Sequence, residues 1–222
     1  MILRTAAAAL LLGGAAVAAP LSRHAAEQSL TALAADASSM TVVWRPDEPT
    51  PARVTGLRAT TRGATPEARA RDFLATWPAL LALAEAPTLM GIRTLGDSTV
   101  VRLQPTHGGR RVADRTIAVT LDAAGRVTHV VSDATPLTTV APAVIDAAAA
   151  RALAIRHVLG LPDEAPLPDL PTRVEPVVLA TGDQGVEGFE VTLSRAPLQE
   201  HLVVRVDAHA GAVLGVTDQV KH

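Results

Sequence analysis

The stretch from Arg102 to Asp133, RLQPTHGGRRVADRTIAVTLDAAGRVTHVVSD, constrains the fold more than any other part of the chain. Ile117, Val119 and Leu121 alternate with Ala118 and Thr120, and Val127, His129 and Val131 alternate with Thr128 and Val130. A period of two sends successive side chains to opposite faces, so both runs predict half-buried strands. The segment Asp122-Ala-Ala-Gly125 predicts the reversal between them. An Asp side chain accepts hydrogen bonds from backbone a few residues on, and Gly takes the positive φ that follows a type I turn in a bulged hairpin.

A similar arrangement recurs near the end of the chain. Leu202-Val-Val-Arg-Val-Asp207-Ala-His-Ala-Gly211-Ala-Val-Leu-Gly-Val echoes the first hairpin, with one more residue between Asp207 and Gly211. Two copies do not make a solenoid and predict instead two small α+β units, each closing on a hairpin. Helix signals precede each hairpin. Thr65 can cap, Pro66 suits a first helical position, and Ala70, Phe73, Leu74 and Trp77 make one apolar stripe ending near Pro78. Asp146 is a second N-cap, before an Ala- and Leu-rich run from Ala147 to Leu159 that Gly160 and Pro162 stop. Prolines at 162, 166, 168, 171 and 176 predict a loop over residues 161–176, with strands following at 173–180, 188–195, 201–207 and from Ala212.

Composition removes several function classes. The chain has no cysteine, which excludes disulfides, thiolate metal sites and cysteine nucleophiles. Aromatic residues are 2% with no Tyr, and net charge is -2, so nothing offers a stacking platform for nucleic acid. None of the seven histidines pairs with another at i, i+4, and no His-Glu-x-x-His run exists to hold a catalytic zinc. Neither a Gly-x-Ser-x-Gly elbow nor a phosphate-binding glycine loop is present. The chain is therefore expected to be non-catalytic, with no catalytic residue, no cofactor and no metal. The acidic Asp163, Glu164 and Asp169 read as solvated loop charges.

The N-terminus reads as a signal peptide over residues 1–18: Arg4 supplies a positive start, Ala6 to Ala15 an apolar run, and Ala16-Val17-Ala18 a cleavage site. That run is shorter than the ~20 residues a membrane-spanning helix needs. The expectation is a secreted or periplasmic protein with no membrane span after cleavage. Residues 19–37 are then a leader segment.

The run quoted first also resembles the FTP module, the fungalysin/thermolysin propeptide domain of secreted zinc peptidases. Thr106, Gly109, Val112, Ile117, Val119, Leu121, Asp122, Gly125, Arg126 and Val127 fit its pattern. His107 stands where the family usually has Tyr, Arg110-Arg111 replace Val-Pro, and Asp114-Arg115 replace Gly-Gly. Residues 40–45 and 52–57 resemble the module's opening hairpin. Further on, Val206-Asp207-Ala208, Gly211 and Val213 resemble the PepSY module, which follows FTP in such propeptides. The resemblances imply an FTP-like module over 38–138 and a PepSY-like module over 139–220. The implied fold is α+β, two small cystatin-like modules, each an antiparallel sheet with a packed helix.

By resemblance, such a protein inhibits or assists the folding of a thermolysin/fungalysin-type zinc metallopeptidase, in trans or as part of a longer precursor. The residues equally allow a stand-alone envelope module with no protease partner. The contact residues expected for a secreted metallopeptidase are His107, Gly108, Gly109, Arg110 and Arg111, with Asp218, Lys221 and His222 at the chain end. Asp122, Gly125, Asp207 and Gly211 are expected to be structural turn residues.

Overall fold

The computed structural model describes residues 23–35, 39–46, 48–195 and 200–219. The proposed signal peptide, the ends of the segment 19–37, and Lys221 and His222 lie outside the described residues.

The fold is α+β, built on two sheets. The first has the strand order β1(Thr41–Trp44), β2(Pro51–Ala59), β8(Val127–Ser132), β7(Ile117–Leu121), β4(Ser98–Gln104), β3(Thr88–Leu95), and all its pairs are antiparallel. One face is covered by α1(Arg23–Ala34), α2(Pro66–Thr76) and the short α3(Pro78–Leu81). Leu30, Leu33, Phe73, Leu74, Leu80 and Leu81 bury themselves there against Val54, Val101, Leu103, Ile117, Val119 and Val130. The alternation at 117–121 accounts for this: Ile117, Val119 and Leu121 are buried while Ala118 and Thr120 are half-buried on the other face.

The capping signals act as their chemistry predicts. The Thr65 side chain accepts from the Ala68 N–H at 3.1 Å, and Pro66 occupies the first turn of α2. Trp77 ends that helix rather than extending it, because Pro78 opens α3; its ring still packs on the core. The segment 19–37, read as a leader, contains α1. That helix buries Ala26, Leu30 and Leu33, and Arg23 lies over the Trp44 ring at 4.3 Å from its centroid.

The second sheet runs β13(Ala212–Asp218), β12(Glu200–Asp207), β11(Gln184–Arg195), β10(Thr172–Thr181), β6(Arg110–Val112), β5(Thr106–His107), with β9(Thr139–Ala141) paired to the start of β11. Helix α4(Ala147–Leu159) packs Ala150, Ala154 and Ile155 on Val191, Leu193, Val204 and Val206. Asp146 caps it through the Ala149 N–H at 2.8 Å, and Gly160 ends it in the left-handed region at φ 62°.

Two features correct the expectation of one antiparallel sheet and one helix per unit. The first sheet carries three helices. The second sheet is mixed: β6 runs parallel to β10 and β9 parallel to β11. Both parallel strands lie upstream of α4 and join the sheet by long-range pairing that leaves no local sequence signal. Strand β10 also starts earlier than the proline count predicts and includes Pro176. The missing N–H is tolerated because pairing with β6 begins only at Val177.

Candidate functional site

The segment Thr106–Val112 is where the two sheets meet. After β4 the chain leaves the first sheet, forms the β5–β6 hairpin on the edge of β10, and returns to the first sheet at Ile117. Gly108 and Gly109 make its reversal with φ values of 58° and 71°, a conformation that glycine reaches without steric cost. Their N–H groups donate to the two carboxylate oxygens of Glu85, at 2.6 and 3.0 Å. The Gly109 N–H is the main reason the Glu85 carboxyl is held below its ordinary range, outweighing the opposing effect of burial.

Beyond the tip, the backbone and Gln104 fix the hairpin. Val112 N–H donates to the Pro105 carbonyl at 2.9 Å, and Ala113 N–H to the Val178 carbonyl at 2.8 Å. The Gln104 side chain is buried; its amide donates to the Val112 carbonyl at 3.0 Å and its carbonyl accepts from Arg111 at 3.1 Å. Ala113 then packs against Val177, Leu179 and Val186, forming a small apolar cluster between the sheets.

Arg110 and Arg111 point to opposite faces of the second sheet. Arg110 pairs with Glu187, which also accepts from the Ala143 N–H at 3.1 Å. The Arg110 guanidinium holds the Glu187 carboxyl below its ordinary range, and the carboxylate raises the arginine in return. Arg111 reaches Glu175 at 2.5 Å and Glu190 at 3.0 Å. Glu190 is shared with Arg205 at 3.3 Å, and Arg205 makes two 2.6 Å contacts to Asp114. Arg173 adds a further pair with Glu175. Asp114 holds this geometry from a left-handed backbone, φ 58°. The network therefore ties β6 and the residue after Ala113 to β10, β11 and β12.

Beside it a cavity of about 620 Å³ opens between Asp114, β9, the β10–β11 turn region and the β12–β13 end. Arg205 and Asp207 border it, but both are committed: Arg205 to its carboxylates, and Asp207 to the N–H groups of His209 and Ala210 at 2.8 and 2.9 Å. Among the described residues no group of histidines and carboxylates could hold a metal ion.

The residues read from the sequence are thus dispersed. His107 is half-buried and Gly108 and Gly109 exposed at the hairpin tip; Arg110 and Arg111 make internal ion pairs. Asp218 ends β13, opposite Leu202, at the far edge of the same sheet. Four strand spacings separate β6 from β13, about 19 Å. Asp122 accepts from the Arg126 N–H at 2.9 Å, Gly125 sits at φ 78°, and Gly211 sits at φ 65°. Burial alone would raise the Asp122 carboxyl; the N–H and guanidinium of Arg126 outweigh it and lower it. Gln104, Glu85, Glu175, Glu190 and Arg205 were not singled out from the sequence. A signal did exist for two of them, since Glu175 and Glu190 interrupt strand runs and a carboxylate held inside a strand asks for a cation across it.

Residues 94–134 match the fungalysin/thermolysin propeptide motif, FTP. The match runs from the β3 end to just past β8, so it contains both the hairpin that joins the second sheet and the Asp122–Gly125 reversal. Among solved structures, the C-terminal domain of Bacillus megaterium YpeB is similar at 13% identity, with a TM-score of 0.40 over 81% of this chain and 75% of that one. No curated protein matches. The motif matched is a propeptide element.

Proposed function

We propose that this protein is a secreted, propeptide-like partner of a thermolysin/fungalysin-type zinc metallopeptidase, which it inhibits, helps to fold, or both. The observation that carries the reading is the FTP motif at 94–134, a motif associated with such peptidases, on a sequence with no His-Glu-x-x-His run. In this reading the first sheet with its helices is the FTP-like module, and the second sheet with α4 is a PepSY-like, cystatin-like module. The contact set would include the hairpin tip, His107 to Gly109, and the chain end from Asp218 through Lys221 and His222.

The physical logic is linkage. A rigid sheet surface that binds the folded peptidase and not its unfolded chain stabilises the folded form in proportion to the logarithm of its concentration over Kd. The same contact blocks activity where it covers the cleft. Arg110 and Arg111 act indirectly here, since their carboxylate partners hold the hairpin at the angle from which its tip is presented.

The test is an inhibition titration of residues 19–222 against the metallopeptidase activity of the source organism's secretions, with a chelator defining that activity. Saturable inhibition below micromolar supports the propeptide role. A folded protein without effect on activity or on peptidase refolding favours a stand-alone envelope module.

A further inference from the structure

The open faces of the two sheets are charged in different ways. On the second sheet each arginine of the network faces a carboxylate: Arg111, Arg173 and Arg205 are met by Glu175, Glu190 and Asp114. Among the described residues, the first sheet has no such compensation on the face away from its helices. Its register aligns Val43, Arg53, Val131, Ala118, Arg102 and Gly91 in one row across six strands. Two residues along, a second row runs from Thr41 through His129 to Arg93. Directly paired residues share a face, and the row between these two, which includes Val54, Val130, Val119 and Val101, is buried in the core.

Neither open row contains an Asp or Glu. Arg53, Arg93, Arg102 and His129 are all exposed, and among the described residues no ion pair reaches Arg53, Arg93 or Arg102. Overall charge is -2, so this local excess of cations is not a general property of the chain. In the same row Val43 and Val131 are 47% and 43% exposed, apolar area alongside the guanidinium groups. Arg53 and Arg102 stand three strand spacings apart, about 14 Å, and Arg93 one strand beyond Arg102. An array with two exposed apolar side chains and no aromatic stacking group suits a folded acidic surface better than exposed bases.

We infer that the open face of the first sheet, centred on Arg53, Arg93 and Arg102, is the surface on which this protein docks an acidic face of its peptidase partner. The inference rests on the propeptide reading and adds the surface and its charge. Docking of this kind acts mainly on the association rate and its salt dependence, because rim charges steer encounter more than they hold the complex.

The experiment compares the wild-type protein with R53E/R93E/R102E and R53K/R93K/R102K. Association with the organism's secreted thermolysin-type peptidase is followed by stopped flow at low and high ionic strength. Thermal melts check folding, and R53S/R93S/R102S replaces the glutamate variant if that fails to fold. Charge reversal should slow association at least about ten-fold at low salt and invert its salt dependence, since added salt then screens a repulsion; the serine variant should abolish it. The lysine variant should behave as wild type. Wild type that binds, with a reversal variant of unchanged rate and salt dependence, overturns the docking face and leaves the propeptide reading standing. Wild type that does not bind overturns both. Tighter binding of a duplex oligonucleotide than of the peptidase at equal salt also overturns the assignment.

Discussion

Gly125 is constrained chiefly by its backbone: a φ of 78° disfavours any side chain, and a Cβ there would displace the flexible Arg69 guanidinium, which donates to the Gly63 carbonyl at 3.0 Å and the Ala124 carbonyl at 3.4 Å. Gly96 has a comparable φ of 58° with nothing within 4 Å of an added Cβ. Gly96→Ala should therefore cost only the backbone strain, about 1 kcal/mol, and Gly125→Ala that strain plus the modest loss of the exposed Arg69 hydrogen bonds, about 1–2 kcal/mol. Chemical denaturation of both variants checks the order. Arg111 gives a second residue-scale prediction. Arg111→Ala leaves Glu175 and Glu190 without their shared cation and should destabilise by about 1–2 kcal/mol, because the groups are partly solvated. Arg111→Lys should recover only part of this, since one ammonium cannot reproduce the spread of a guanidinium over Gln104 and two carboxylates. At this scale the sequence was legible wherever chemistry is local. Asp122, Gly125, Asp207, Gly211, Thr65 and Asp146 satisfy backbone within a few residues, and their roles follow from residue type. The carboxylate partners of Arg110 and Arg111 lie more than sixty positions downstream, so spacing carried no trace of them.

The β5–β6 hairpin is the element whose behaviour most distinguishes this arrangement from two units joined by a linker. In sequence it lies between β4 and β7 of the first sheet, and in space it belongs to the second sheet. Ala113 is 3% exposed beside Val177 and Leu179. Ala113→Glu would bury an unpaired charge there and should release the hairpin from β10. Hydrogen exchange should then report faster exchange in β10 around Val177 and Val178, with the β7–β8 hairpin unchanged. Equal protection in both strands would mean the hairpin contributes nothing to the second sheet. The elements themselves were well predicted where periodicity and caps agreed, as in α2, α4 and the two closing hairpins. The parallel additions of β6 and β9 were not, because a three-residue strand has too few positions for a period, and its pairing is decided by tertiary contact. Helix α1 was missed for a different reason: its core face, Ala26, Leu30 and Leu33, is narrow and follows an apolar run that reads as a signal peptide.

For the whole molecule, Glu85, Asp122 and Glu187 share a direction: each carboxyl is lowered in the folded state. Such groups contribute stability that is present above the ordinary carboxylate range and is lost as pH falls through their folded values. Stability should therefore be flat near neutrality and fall on acidification below that range, and Glu85→Gln should flatten the acid limb. Urea denaturation of wild type and variant across pH measures this. The three groups sit at the hairpin tip, the first reversal and the Arg110 contact, so acid weakens the join between the sheets along with the sheets themselves. The central claim concerns what the joined molecule does. The most direct measurement is calorimetric titration of the folded protein into the organism's secreted thermolysin-type peptidase. The account predicts saturable one-to-one binding that weakens with added salt. Absence of binding, by a protein that melts cooperatively in the same buffer, would contradict it.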